Sequence, residues 1–213
     1  MICYDYVNEN IRSTIKMTYG ILAEMEEYAK NNHVPIIHPE VERFLSVIGK
    51  IKNPKYILEV GTAIGYSAMA MSSFLQDGGR IDTIERNDKI IEKARENIEK
   101  AKLEDKINII QGDAIDVLKD LNAKYDIVFI DAAKGHYLEF LQNIKNNLNK
   151  NAIIISDNVL YKGMVANDEL IIRRKKTIVK RLREYLNFIC NSELLDTTII
   201  PIGDGVAISY LKN

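Results

Sequence analysis

The chain has 213 residues, with 29 Lys and Arg against 30 Asp and Glu and a formal net charge of −1. That length suits one domain with a substantial core, and the charge balance excludes a globally basic nucleic-acid binder while leaving room for a local patch. MICYDYVNENIRSTIK lacks an apolar signal core, no apolar run approaches the ~18 residues of a membrane helix, and Cys3 and Cys190 have no metal or redox spacing, so a soluble, cytoplasmic protein is expected.

The first thirty residues read as helical. Ile11, Ile15, Tyr19 and Leu22 recur at three- and four-residue spacing, and Met25, Tyr28 and Ala29 continue the pattern. HVPIIHPE breaks it, because Pro35 and Pro39 push the residues before them out of helical geometry, and Val41, Phe44, Leu45 and Ile48 restart a helix that KNPK ends. From there the chain alternates. Short apolar runs, YILEV, RIDTIE, INIIQG, YDIVFID and AIIISD, are separated by helical patterns such as NDKIIEKARENIEKA, which Asn87 can cap, and HYLEFLQNIKNNL. That alternation predicts an α/β fold: a parallel sheet with helices on both faces. A long helix over IIRRKKTIVKRLREYLNFI follows, and TTIIPI and VAISY, joined by Gly203-Asp204-Gly205, predict a closing antiparallel hairpin. The expected organisation is one domain over 1–213, with an N-terminal helical lid or dimer region over 1–50 and an α/β core over 51–213.

Ligands of open parallel sheets bind beyond the carboxyl ends of the strands. Here the five predicted strand ends carry Glu59, Glu85, Asp113, Asp131 and Asp157, the last followed by Asn158. One such acid is ordinarily a cap or a turn former; five on one rim repel each other unless cations or hydroxyls compensate. EVGTAIGYS places Gly61 and Gly65 in the first strand-to-helix turn, where glycine permits close backbone approach to a ligand beside a helix N-terminus. It is neither the phosphate loop nor the dinucleotide fingerprint. Glu85, 24 residues after Gly61, can accept both ribose hydroxyls of an adenosyl group, with Asp113 and Ala114 along the adenine edge. Glu59 and Gly61 belong to the same expected cofactor site. Asp131, Asp157 and Asn158 are all-oxygen ligands on adjacent strand ends, which suits a hard cation such as Mg²⁺. His136 is close in sequence but is not counted in the cluster.

At LEVGTAIGYSA, IERN, FIDAAKGHY, ISDNVL and GDGVAIS the chain resembles the cation-dependent O-methyltransferases of the catechol and caffeoyl-CoA type, over roughly residues 30–210. Within that group, HVPI, GTAIGYSA, FIDAAKGHY, DNVLYKGMV and IIPIGDGVAIS are most similar to bacterial tRNA 5-hydroxyuridine methyltransferases, which make 5-methoxyuridine at the wobble position. The resemblance implies a Rossmann-like fold dependent on S-adenosyl-L-methionine. It implies cofactor contacts at Ile37, Ser67, Glu85, Asp113, Ala114 and Asp131, Mg²⁺ ligands at Asp131, Asp157 and Asn158, and Lys134 as general base or oxyanion partner. Residue 133 is Ala, where an acid is expected in the plant acyl-CoA branch.

A tRNA anticodon loop as partner needs a concentrated basic surface. Arg173, Arg174, Lys175 and Lys176 open such a stretch, with Lys180, Arg181 and Arg183 behind them, and Lys162 is a further expected phosphate contact. The alternative for this stretch is a well-solvated helix face, with Ile172, Val179, Leu182, Tyr185, Leu186 and Ile189 as its apolar side. Tyr4, Tyr6 and Tyr19 are expected either to lid the site or to make a homodimer contact. Methylation of small catechols and a non-catalytic adenosyl-binding role are the competing functions.

Overall fold

The computed structural model describes residues 3–212; positions 1, 2 and 213 lie outside it. Seven strands form one sheet: β1 (Tyr56–Val60), β2 (Arg80–Glu85), β3 (Ile107–Gln111), β4 (Tyr125–Ile130), β5 (Leu148–Ser156), β6 (Leu195–Ile200) and β7 (Val206–Leu211). Their order is β3-β2-β1-β4-β5-β7-β6. The first five pair in parallel, as the alternation predicts. β7 inserts antiparallel between β5 and β6, so the closing hairpin reverses one strand and its outer strand runs with the first five. Strand order turns back between β1 and β4, which opens a crevice at their carboxyl ends.

Alternation along the strands divides the interior in two. Ile57, Ile127, Phe129 and Ile155 face one helical layer, while Leu58, Val128, Ile130 and Ile154 face the other. The first layer holds α2 (Ile21–Asn32), α3 (Pro39–Lys52), α4 (Tyr66–Ser72) and α5 (Asp88–Lys100); the second holds α6 (Ala114–Asp120), α7 (Tyr137–Ile144) and α8 (Lys176–Cys190). Asn87 caps α5 by accepting from the Lys89 and Ile90 amides. Among the described residues, no helix is long and apolar enough to cross a membrane.

Two expectations need correction. The N-terminal helix is broken: α1 (Asp5–Thr14) ends at an extended Ile15, and α2 begins only after Gly20, whose φ of 64° takes the chain out of helical geometry. The spacing of Ile11, Ile15, Tyr19 and Leu22 therefore spans two elements. The long C-terminal helix also starts late. Arg173–Lys175 form a 3₁₀ turn before α8, and Ile172 is 53% exposed, off the buried stripe of Val179, Leu182, Tyr185, Leu186 and Ile189.

Candidate active site

A cavity of about 710 Å³ opens where the sheet order turns back, lined by the connector before α3, the turn after β1 and the ends of β2, β3, β4 and β5. Of the residues expected at the site, Ile37, Gly61, Ser67, Glu85, Asp113, Ala114, Asp131, Lys134, Asp157 and Asn158 all line it. Glycine is required at position 61. Its φ is 108°, and a Cβ there would run into the Asp131 carbonyl oxygen, so the ends of β1 and β4 meet only because no side chain stands between them.

Glu59 is the exception. It lies inside β1, is fully buried, and is absent from the cavity wall. Its carboxyl group accepts from Ser67 Oγ and Thr83 Oγ1, and Thr83 Oγ1 lies 2.7 Å from Thr62 Oγ1. Burial pushes Glu59 up to about 8, against the opposing pull of the Ser67 and Thr83 hydroxyls that donate to it. The physical reason for the correction is strand alternation: Val60 intervenes before the rim, and residue 59 points into the interior. Glu59 therefore fixes Ser67 from below and does not itself face the cavity.

At the rim, Glu85 is oriented by three backbone amides: Oε1 accepts from Arg86 and Asn87 at 2.9 and 3.0 Å, and Oε2 from Ala63 at 3.3 Å. Asp113 plays the cap expected of an isolated strand-end acid. Its Oδ1 accepts from the Ile115 amide at 3.0 Å and Oδ2 lies 3.5 Å from Arg86, while the residue also borders the cavity.

Asp157 caps nothing. No α-helix begins until Lys176, and among the described residues its side chain, in a residue 1% exposed, accepts a single hydrogen bond, from the Asn158 amide at 2.7 Å. Tyr137, buried beneath it, donates to the Asp157 carbonyl at 3.0 Å and holds the end of β5 in place. Asp131 has Lys134 Nζ 3.9 Å away. Burial, and then the Asp131 charge, raise Asp157 to about 7; burial raises Asp131 as well, with Lys134 opposing it. Two acids facing one lysine leave negative charge uncompensated, and the available donors are carboxylate and amide oxygens. Among the described residues no three His, Cys, Asp or Glu side chains form a metal-binding group, and the oxygen donors that line this end of the cavity are Asp131, Asp157 and Asn158. The donor chemistry fits a hard divalent ion.

Two residues on this side carry no signal in the sequence. His38 lines the cavity from the connector before α3. Asp204, in the β6–β7 turn, accepts from the Lys162 amide at 2.5 Å and its charge helps raise Asp157. The expected phosphate contacts do not line the cavity but lie nearby. Lys175 Nζ sits 5.7 Å from the Tyr161 ring centre, three residues past Asn158, and Arg181 donates to the Gly135 carbonyl, next to Lys134. Arg183 is used internally: it bonds the Val165 and Met164 carbonyls and pairs with Asp168 at 2.6 Å.

The O-methyltransferase family profile matches residues 12–212. A caffeoyl-CoA O-methyltransferase of Populus kitakamiensis is 30% identical over 94% of this chain and 84% of its own length. A catechol O-methyltransferase of Niastella koreensis is 30% identical over 83% and 82%. The crystal structure of an O-methyltransferase from Bacillus cereus in complex with SAH superposes with a TM-score of 0.86 at 26% identity, covering 97% of both chains. The match runs along nearly the whole chain, which belongs to the O-methyltransferase family, among relatives of the caffeoyl-CoA and catechol type.

Proposed function

We propose that the protein transfers a methyl group from S-adenosyl-L-methionine to the 5-hydroxyl of 5-hydroxyuridine at the tRNA wobble position, giving 5-methoxyuridine, with Mg²⁺ held by Asp131, Asp157 and Asn158. The sulfonium donor supplies an electrophilic methyl group, and a magnesium ion supplies stabilisation of the acceptor oxyanion. The rest falls to the chain itself. Glu85 keeps acceptor capacity beyond its three amide bonds for the ribose hydroxyls, Ser67, held by Glu59, and Ile37 wall the donor, and Asp113 and Ala114 border the base. The SAH complex of the Bacillus cereus relative supports this donor half. Lys134, at the acid end, is placed to take the acceptor proton or, charged, to steady the oxygen left behind. Alignment of the two reactants contributes the remainder.

The observation that carries an RNA acceptor is the segment Arg173–Lys176. It stands at the N-terminus of α8, the positive end of the helix dipole, with no acid in the first turn, and among the described residues none of its four cations forms an ion pair. Like charges there are mutually and dipolarly unfavourable, by several tenths of a kcal/mol each, and a polyanion relieves that. Lys162, exposed beside Asn158, extends the same surface. An RNA partner places the protein in the cytoplasm. Tyr4, Tyr6 and Tyr19, which are 71%, 67% and 80% exposed, are assigned to a homodimer contact at the N-terminal lid region of the single domain.

The test is mass spectrometry of wobble nucleosides from cells with and without the gene. The reading expects 5-methoxyuridine to vanish and 5-hydroxyuridine to accumulate without it. Unchanged nucleosides, together with turnover of a catechol by the purified protein, would assign the small-molecule reaction that the Niastella koreensis similarity favours.

A further inference from the structure

Helix α1 has no buried residue. Among the described residues, its side-chain hydrogen bonds and ion pair to the rest of the molecule come from Arg12 alone. That guanidinium is fixed by a fork of two 2.9 Å bonds, Nε to Glu40 Oε2 and Nη2 to Glu40 Oε1, onto a carboxylate side chain only 4% exposed. Nη2 also lies 3.2 Å from His38 Nδ1. A guanidinium nitrogen carries hydrogens and no lone pair to share, so Nδ1 must be the acceptor and the ring hydrogen must lie on Nε2. On the other side of the ring, the β6–β7 turn closes in: a Cβ on Gly203, whose φ is 56°, would lie 3.3 Å from His38 Cδ2. With Nδ1 and Cδ2 both engaged, Nε2–H is the ring's remaining polar group, and the residue lines the cavity with Asp131, Lys134, Asp157 and Asn158. The β6–β7 turn that meets His38 also binds the segment just after Asn158, its Gly205 and Asp204 carbonyls accepting from the Val159 and Leu160 amides, which puts His38 on the acid half rather than the donor half.

We propose that His38 recognises the methyl acceptor, donating a hydrogen bond from Nε2 to a carbonyl or anionic oxygen of that substrate, and that Arg12 and Glu40 are positioning residues that set its ring orientation and tautomer. The inference rests on the reading of the acid half as the acceptor side. It also gives α1 a purpose that packing does not: the helix delivers one guanidinium to one imidazole.

Conservative replacements separate recognition from support. Glutamine can place an amide N–H where Nε2 stands, whereas asparagine can place an oxygen where Nδ1 stands and so satisfies Arg12 alone. His38→Ala is expected to lower kcat/KM for the acceptor by about tenfold or more, the worth of one hydrogen bond to a polar substrate atom, with the dissociation constant of S-adenosylhomocysteine within about twofold of wild type on the same grounds. His38→Gln recovers most of that loss and His38→Asn does not. Recovery by asparagine but not glutamine, or no loss in His38→Ala, overturns the proposal. Long-range ¹H–¹⁵N spectra of the protein without acceptor give a readout independent of turnover. The His38 signal, identified by its disappearance in His38→Gln, should show the Nε2–H tautomer and lose that preference in Arg12→Met; an Nδ1–H ring in wild type overturns the proposal. Running the kinetics on both a 5-hydroxyuridine anticodon stem-loop and a catechol separates the two readings. A wild type inert toward the RNA, yet dependent on His38 with the catechol, removes the tRNA assignment and leaves His38 in its role.

Discussion

Two surface helices flank the cavity and attach to the domain by opposite physics. α8 buries Val179, Leu182, Tyr185, Leu186 and Ile189 against the second layer, and Tyr185 adds a 2.6 Å bond to Ser156 at the end of β5. α1 has no fully buried residue, only Val7, Asn8 and Ile11 partly covered, and its side-chain polar tether is Arg12. The first is part of the core; the second is a local attachment whose strength is electrostatic. A helix held by apolar area unfolds with the domain, whereas one held by a single ion pair can detach alone. The site draws on both, taking its expected phosphate surface from the start of α8 and the orientation of His38 from α1.

The largest break in this comparison is in α8. Leu182→Ala, at a fully buried position, should lower global stability by about 3 kcal/mol, read as a shift of the urea midpoint with the slope unchanged. Arg12→Met should do something different: loss of amide protection confined to residues 5–14 in hydrogen exchange, with the global midpoint moved by no more than about 1 kcal/mol. Global loss equal to that of Leu182→Ala would show that α1 belongs to the core after all.

Acid should separate the helices again. Burial raises the Glu40 carboxyl, but its hydrogen bonds from Arg12 and from its own backbone outweigh that, and the folded value lies below the ordinary 4.5. A depressed acid contributes stability above its unfolded value and loses it as pH falls through the folded one. Protection of α1 should therefore hold at neutral pH and fade below about pH 4, following the unperturbed carboxylate range, while α8 keeps its protection until the domain itself unfolds. Simultaneous loss of both would contradict the separate attachment.

Where these contacts lie decides how much of them the sequence discloses. The sheet is legible because its signals are local: runs such as AIIIS alternate with amphipathic helices, and Gly61 and Gly65 mark a turn that needs positive φ. The acids at the rim are legible for the same reason, as each ends a strand or follows one within two residues. Glu59 escapes that logic, since one residue of register separates a wall from an interior position. The break between α1 and α2 is hidden because two helices happen to continue one spacing across an extended Ile15. The link from Arg12 to His38 and Glu40 spans 26 and 28 residues, with no periodicity to announce it. Local rules reach the fold and the strand-end acids, and long-range polar contacts at the mouth lie outside them.

The smallest expected effect concerns the cations of the 173–176 turn. Replacing Arg173 and Arg174 with glutamine relieves repulsion at a helix N-terminus and should raise stability by a few tenths of a kcal/mol, while weakening anticodon stem-loop binding and flattening its salt dependence. An unchanged salt slope would put the RNA elsewhere on the surface.

The central claim is that the acid half of the cavity activates a hydroxyl on RNA. Its most direct measurement is transfer of labelled methyl from S-adenosyl-L-methionine to anticodon stem-loops that differ only in uridine or 5-hydroxyuridine at the wobble position, with magnesium or with EDTA, for wild type and Asp157→Ala. The account predicts label in the hydroxylated RNA alone, only with magnesium, and a loss of at least about a hundredfold in Asp157→Ala, the scale expected when a buried charged group is removed from a reacting site. Equal labelling of both RNAs, or an undiminished rate in EDTA, would contradict it.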